Sequence, residues 1–177
     1  FNPGLLLFDD RVASYRKGKG SLEDYLALLI KTAGHEPQSL AALRKALRME
    51  ERLDTAKIES ERTSLISRLI QSLDEKKKTE LVHASLAFRT GRISHADFYR
   101  YLEGLCNGCG LDLSRFPAMK EYVKYVLLSD SLSPEEIFKE TKTLEKRAYV
   151  TLIDRPEEEK LVQISECLYL MEKLFDY

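Results

Sequence analysis

The sequence predicts an all-α protein, an array of about seven to nine helices packed as antiparallel hairpins. The first observation is that residues Gln38 to Thr90 contain neither glycine nor proline and are rich in strong helix formers. The second is that apolar residues recur at helical spacing along most of the chain. The third is that short glycine-containing breaks are followed by serines that can cap a new helix. We therefore expect helices throughout and no strands.

The first two helices are predicted to form a tight hairpin. Leu5 to Lys17 carries apolar residues at helical spacing and ends at the Gly-Lys-Gly turn of residues 18–20. Ser21 can then cap a second helix, Leu22 to Ala33, which ends at Gly34. The short break between these helices favours an antiparallel pair.

The glycine-free stretch is either one helix about 80 Å long or a set of helices that bend at polar patches around Asp54 and Asp74. In the second half of the chain the corresponding positions carry Pro134 and Pro156, and a proline marks the start or end of a helix. From this comparison we expect a bend near Asp54. We expect the chain to run straight through Asp74, so that Leu65 to Phe88 forms one long connecting helix.

The two halves of the chain share a pattern. Residues 88–94 repeat the order of residue types at 15–21, an offset of 73 residues, and later segments match at an offset of 79 residues. Met119 then takes the place of Leu40, and Glu140 takes the place of Glu61. This register predicts an internal duplication of a four-helix unit. The predicted organisation is a single all-helical domain, 1–177, with pseudo-repeat units 1–73 and 74–152 and a C-terminal helix 156–176.

Charge and hydropathy argue against two classes of partner. With 28 basic and 29 acidic residues the net charge is −1, so no broad positive field favours nucleic acid. The longest apolar run near the start, Leu5 to Phe8, is too short to span a bilayer, which predicts a protein without a transmembrane segment. The apolar fraction of 44% is sufficient for a packed core in a chain of 177 residues.

Cysteine usage and the first residue bear on localisation. Three cysteines are an odd number and too few for a disulfide framework, so we take a reducing compartment, the cytoplasm, as the default. The chain opens with Phe1 rather than Met. A removed signal peptide or an upstream domain therefore stays open, and with it secretion.

The Cys106-Asn107-Gly108-Cys109 segment carries the clearest chemical motif. Two thiolates at this spacing can hold half of a zinc site or form a redox pair. His83 and Cys167 are the further ligands that helical packing could bring near the two cysteines. The alternative is that Gly108 and Gly110 end a helix and the cysteines fill apolar space. A thioredoxin-like pair is disfavoured because that motif opens a helix in a βαβ setting.

Glu80 and His83 have the Glu-x-x-His spacing found in di-iron helical bundles. Such sites need a second Glu-x-x-His, and neither His35 nor His95 has a glutamate three residues before it. Outside the zinc hypothesis, His83 is therefore interpreted as a packed residue of a mostly apolar helix.

Two predicted turns combine positive charge with a helix N-terminus. Lys19 and Ser21 occupy the first turn, and Arg92 and Ser94 occupy the matching turn of the second half. Free backbone amides and the helix dipole favour anions at such positions, so these four residues are candidate anion-binding residues. The alternative is an ordinary hairpin turn in which each serine caps its own helix.

The sequence carries no convincing acid–base pair, activated nucleophile or complete set of metal ligands, so it favours a protein without catalytic activity and without a cofactor. We expect a helical scaffold or protein–protein interaction module that binds a protein partner or itself through an exposed apolar face. The alternative is a metal- or redox-responsive protein that uses Cys106 and Cys109, with zinc as its cofactor.

Overall fold

The structure is a computed structural model that describes residues 2–175, and this range contains only helices and the turns that join them. The predicted fold class, an all-α array of helices, is confirmed. A short 3₁₀ turn at Leu113–Arg115 precedes the seventh helix. Asp176, the last residue of the predicted C-terminal helix, lies outside the described residues. The helices are α1 (Pro3–Arg16), α2 (Leu22–Ala33), α3 (Gln38–Glu50), α4 (Thr55–Ser72), α5 (Glu75–Arg89), α6 (His95–Gly108), α7 (Pro117–Asp130), α8 (Pro134–Leu152) and α9 (Pro156–Phe175).

Short polar side chains determine where most of these helices begin. Ser21 accepts a hydrogen bond from the backbone N–H of Asp24 at 3.0 Å, and Ser94 accepts one from the backbone N–H of Asp97 at 3.0 Å. Each bond satisfies an amide that the first turn of a helix leaves without a partner. The remaining caps of this kind are Asn2 for α1, Asp54 for α4, Asp74 for α5 and Ser133 for α8.

The prediction of one long helix from Leu65 to Phe88 is wrong. α4 and α5 are separate helices, and Leu73 between them has an extended backbone. Asp74 accepts a hydrogen bond from the backbone N–H of Lys77 at 2.8 Å, which stabilises a new helix start without any glycine or proline. The predicted bend near Asp54 is confirmed, because α3 ends before this residue and α4 begins after it.

The helices group into two compact units. Within the described range, unit 1 contains residues 2–44 and 133–175, and unit 2 contains residues 45–132. Unit 1 is therefore discontinuous in sequence, whereas unit 2 is one continuous segment. These borders fall at other positions than the predicted pseudo-repeat units 1–73 and 74–152, and the internal duplication stays a prediction.

In unit 2, α7 packs against both α4 and α6, and α5 pairs with α6 as a hairpin. The glutamate Glu61 of α4 accepts a hydrogen bond from the backbone N–H of Met119 at 2.9 Å. This contact supplies an acceptor at the start of α7, where Phe116 offers no side-chain cap. The most deeply buried side chains of this unit are Leu65, Leu69, Ala96, Tyr99, Leu102, Cys106 and Met119.

In unit 1, the most extensive helix contact is between α2 and α8, and α1 packs against both. Ser39 at the start of α3 donates a hydrogen bond to Glu140 of α8. α8 therefore completes the core around the first hairpin. The most deeply buried side chains of this unit are Leu5, Val12, Leu26, Leu29, Leu40 and Ala148.

Candidate functional site

Cys106 lies in the last turn of α6, and Cys109 is the residue that follows the helix. Cys106 is fully buried in the core of unit 2, Cys109 is half-buried, and both thiols are free. The backbone N–H of Leu111 donates to the carbonyl of Cys106 at 2.8 Å, and Gly110 has φ of 67°. This bond pattern, with a left-handed residue after the last turn, is a common glycine-terminated helix end. The local geometry is that of a helix end whose first cysteine fills core space.

The predicted zinc ligands have different surroundings. Burial, with Cys109 and Glu103 nearby, raises the pKa of the Cys106 thiol to about 11, whereas zinc binds the thiolate form. His83 is exposed on α5 of unit 2, and Cys167 is exposed on α9 of unit 1. Residues 2–175 contain no group of three or more His, Cys, Asp or Glu side chains that could hold a metal ion. The zinc site stays a prediction.

The candidate anion-binding residues lie at the two hairpin turns. Ser21 and Ser94 already accept hydrogen bonds from the first turns of α2 and α6, as ordinary capping serines do. Lys19 and Arg92 are exposed. Lys19 also borders the cleft between α1 and α2, so it is the member of this set with a defined concave surface beside it. Anion binding at the turns stays a prediction.

A buried polar network around Glu145 was not predicted from the sequence. The Glu145 side chain is 3% exposed, and its Oε1 atom lies 2.6 Å from the guanidinium of Arg16. Tyr25 donates a hydrogen bond to the other carboxylate oxygen. Burial, followed by the bond to Glu145, raises the pKa of Tyr25 far above its ordinary value. The three residues join α1, α2 and α8 through one buried carboxylate.

The network continues toward α9 through a second carboxylate. Asp9 accepts hydrogen bonds from the hydroxyl of Tyr149 at 2.7 Å and from Ser165 at 3.0 Å. Both oxygens of Glu145 and both oxygens of Asp9 are thus engaged with other helices. Carboxylates engaged in this way hold neighbouring helices in position. The sequence signal was a charged residue inside the apolar stripe of α8, beside Leu144 and Ala148.

A cleft of about 860 Å³ runs along the α1–α2 hairpin. Its α1 side carries Leu7, which is 58% exposed, and the edge of the buried Phe8. Its α2 side contributes Ala27 and Leu28. A concave surface that is mostly apolar with a few polar groups is the usual form of a binding site.

The charged groups of this cleft are predominantly cationic. Arg11, Lys19 and Lys31 line it, and none of the three forms an ion pair with a carboxylate among residues 2–175. The carboxylate in the lining, Asp24, accepts a hydrogen bond from the hydroxyl of Ser21 at 2.7 Å. The cleft therefore combines an apolar floor with positive charge available to a ligand.

Helix α9 presents its apolar residues outward. Its inner side meets α1 through polar contacts: Glu158 accepts from the backbone N–H of Asn2 at 2.8 Å, and Arg16 lies over the ring of Tyr169 at 5.0 Å. Val162 is the buried apolar residue of that side. Residues 2–175 include no helix long and apolar enough to cross a membrane. The exposed apolar side chains of α9 are Leu161, Ile164, Leu168, Leu170, Met171 and Leu174.

Four of these residues form a stripe with coiled-coil spacing. Leu161, Ile164, Leu168 and Met171 follow one another at intervals of three, four and three residues and are 42%, 54%, 58% and 52% exposed. Intervals of three and four place side chains along one face of a helix. We call this set the α9 stripe. An amphipathic helix normally packs its apolar side inward, so α9 has the reverse orientation.

Comparison with protein-family models, with curated protein sequences and with solved structures finds no match to this chain. The candidate surfaces are therefore defined by geometry alone. They are the α9 stripe, with its exposed apolar side chains, and the cationic cleft between α1 and α2, both within unit 1.

Proposed function

We propose that this chain is a helical protein–protein interaction module without catalytic activity and that the α9 stripe is its contact surface. The supporting observation is the reversed orientation of α9, whose inner side is polar and whose outer side is apolar. Exposed contiguous apolar surface of this kind is typical of interaction sites. Fully burying an exposed side chain of this size contributes about 1.5–3 kcal/mol, and the side chains of the stripe, about half exposed, would each gain roughly half of that. Four of them together can support a specific contact.

A protein surface fits the α9 stripe better than a membrane surface. Helices that lie on membranes carry Lys and Arg beside their apolar face. Among the described residues, the exposed charges beside the α9 stripe are Glu157, Glu172 and the single cation Lys160, and the first turn of the helix is acidic. Spacing of three and four residues is also the pattern by which helices pair with other helices. The proposed partner surface is therefore a protein groove or helix.

The test compares two matched double variants. Ile164→Gln with Leu168→Gln removes apolar surface from the α9 stripe, while Val82→Gln with Leu86→Gln makes the same change on an exposed pair of α5. Both pairs are four residues apart and exposed, and glutamine is a good helix former. Association is followed by light scattering of the purified chain and by quantitative capture of proteins from the source cell.

Association, whether with a second copy or with another protein, is expected for the wild type and for the α5 variant and is expected to be lost in the α9 variant. The proposal is wrong if the α9 variant behaves like the wild type in both measurements. It is equally wrong if neither measurement detects association of the wild type. Circular dichroism checks that both variants keep their helix content.

A further inference from the structure

We propose that the partner is a second copy of this chain, whose α1–α2 cleft receives the α9 stripe. This inference rests on the proposed function, because it names the occupant of the same α9 surface. Unit 1 of every copy carries both an exposed apolar stripe and a cationic apolar cleft. The cleft can cover the apolar side chains of the stripe. The helix that carries the stripe can supply carboxylates to the unpaired cations of the cleft.

The two surfaces have similar lengths. The α9 stripe extends from Leu161 to Met171, which is about 15 Å at the helical rise of 1.5 Å per residue. The α1 residues that line the cleft extend from Gly4 to Tyr15, or about 17 Å on the same basis. A helix laid along the cleft can thus place the whole stripe on the apolar floor formed by Leu7 and Leu28. This is the helix-in-groove mode of recognition.

The cations are spread along the cleft rather than grouped at one end. α1 and α2 are consecutive helices of a hairpin, so Lys31 near the end of α2 lies level with the start of α1, and Lys19 lies at the turn. Arg11 lies between these two levels on α1. A ligand with a single anionic group, such as a fatty acid, would pair with one of these charges. A helix with carboxylates at separate positions can pair with several.

The α9 helix has carboxylates at suitable positions. At 100° per residue, Glu157 falls in line with the stripe one turn before Leu161. Glu172 borders the other end of the stripe, about 22 Å from Glu157 along the helix axis. Glu172 lies 3.6 Å from Lys17 of its own chain, a pair in which both side chains are more than half exposed and which is therefore weakly held.

The α9 of a given copy does not reach its own cleft. On α1, the residues that meet α9 are Asn2, Asp9 and Arg16, whereas the cleft is lined by residues such as Leu7 and Arg11. At 100° per residue these two sets lie on opposite sides of α1. The stripe of one copy and the cleft of another can meet instead. Each of two copies can place its stripe in the cleft of the other, or copies can add head to tail.

The experiment uses complementary variants of the full chain. The cleft variant is Arg11→Glu with Lys31→Glu, which reverses two exposed charges that have no ion-pair partner among residues 2–175. The stripe variant is Ile164→Gln with Leu168→Gln. We measure association by analytical ultracentrifugation for the wild type, for each variant and for an equimolar mixture of both variants. Arg89→Glu with Arg92→Glu, on the exposed turn of the α5–α6 hairpin, is the charge-matched control.

Each variant alone is expected to associate at least about tenfold more weakly than the wild type, because like charges or lost apolar contact oppose docking. The mixture is expected to recover association, because the intact stripe of one variant fits the intact cleft of the other. The charge-matched control is expected to associate like the wild type.

Three results would overturn the second-copy inference. A wild type that stays monomeric at all concentrations overturns it, while capture of another protein through α9 would still support the proposed function. A cleft variant that associates like the wild type overturns it too, since the α9 stripes would then contact some other surface. A mixture that stays as weak as the separate variants shows that the stripe and the cleft do not meet.

Discussion

The α1–α2 hairpin of unit 1 and the α5–α6 hairpin of unit 2 are built alike but stabilised differently. Gly18 and Gly91 turn the chain with φ of 74° and 69°, and a capping serine follows each turn. Each hairpin has a pair of stacked aromatic rings near its turn. Tyr15 stacks on Tyr25 with ring centroids 4.0 Å apart, and Phe88 stacks on Phe98 with centroids 4.5 Å apart. The phenylalanines carry no hydroxyl, and in the predicted duplication the position that matches Glu145 at the offset of 79 is Ile66 of α4.

The helix that completes each hairpin comes from a different part of the chain. In unit 2 it is α7, the next helix along the chain, which reaches α6 through a linker that includes the 3₁₀ turn. In unit 1 it is α8, while the helix that follows α2 directly, α3, is joined by a shorter linker. A hairpin is thus specified by local signals. Which third helix packs on the hairpin depends on the length of the linker and on buried polar contacts between that helix and the hairpin, such as those of Glu145.

The largest expected effect comes from removing the carboxylate that distinguishes unit 1. Glu145→Ala leaves the buried Tyr25 hydroxyl without its acceptor and leaves the partly buried Arg16 with only one carboxylate partner among residues 2–175, Glu166 at 3.8 Å. Breaking a buried pair costs about 3–5 kcal/mol. We expect the free energy of unfolding, measured with urea, to fall by about that amount. Replacing Arg16 and Tyr25 together with Glu145 leaves no polar group of this contact without a partner, which suggests a compensating variant.

That compensating variant is Arg16→Met with Tyr25→Phe and Glu145→Ile, which replaces the three polar side chains by apolar ones of similar size. Replacement of a buried charge network by apolar groups of similar size is often neutral or stabilising. We expect the triple variant to recover most of the stability that Glu145→Ala loses. A loss below about 1 kcal/mol for Glu145→Ala would show that the network contributes little to the difference between the units.

An intermediate effect is expected for Cys106, whose counterpart in unit 1 at the offset of 73 is Ala33. Burial raises the pKa of the Cys106 thiol to about 11, above the value of about 8.5 for an unfolded chain. Between these values the unfolded state releases the thiol proton and the folded state keeps it, so stability falls as pH rises. The contribution is complete below about pH 8 and is lost as pH approaches 11.

The measurement is the difference in free energy of unfolding between the wild type and Cys106→Ala at about pH 8 and at about pH 10.5. The wild type is expected to lose on the order of 2 kcal/mol more than the variant over this range. Tyrosines that titrate at high pH affect both proteins alike, so the comparison isolates the thiol. Equal losses would mean that Cys106 is ionised as easily in the folded chain as in the unfolded one.

The smallest expected effect concerns the capping serine that follows the turn in both hairpins. Ser21→Ala and Ser94→Ala each remove a side-chain cap with a 3.0 Å bond, and such caps contribute about 1 kcal/mol. We expect the two losses of unfolding free energy to be equal within about 0.5 kcal/mol and to add in the double variant. A much larger loss for one serine would show that the two turns stabilise their hairpins by different means.

The helices and several of their starts could be predicted because capping and periodicity are local. Ser21 and Gly34 bound α2 as expected. The prediction fails at Asp74 because the absence of glycine and proline favours a continuous helix, although an aspartate alone can start a new one. If a capping residue such as aspartate is given the same weight as a glycine or a proline, the sequence predicts this turn.

The candidate site could be predicted only in part. An exposed apolar face was expected, but the sequence did not indicate which helix carries it, because a stripe such as that of α9 has the same pattern when buried. Glu145 was missed because a lone glutamate in a helix is usually solvent-exposed. The cleft depends on how α1 and α2 pack, and no short motif describes it.

The discontinuity of unit 1 sets an order of assembly during synthesis. Unit 2 can close as soon as its continuous segment, 45–132, has left the ribosome. Leu26 and Leu29 of α2 must wait for α8, which begins only at Pro134. At about 5–20 residues per second this delay is on the order of 5–20 s, during which the first hairpin of the nascent chain exposes its core side. Residues 3–33 are therefore made before unit 2 but enclosed after it, and a chaperone that shields nascent apolar helices would act on them.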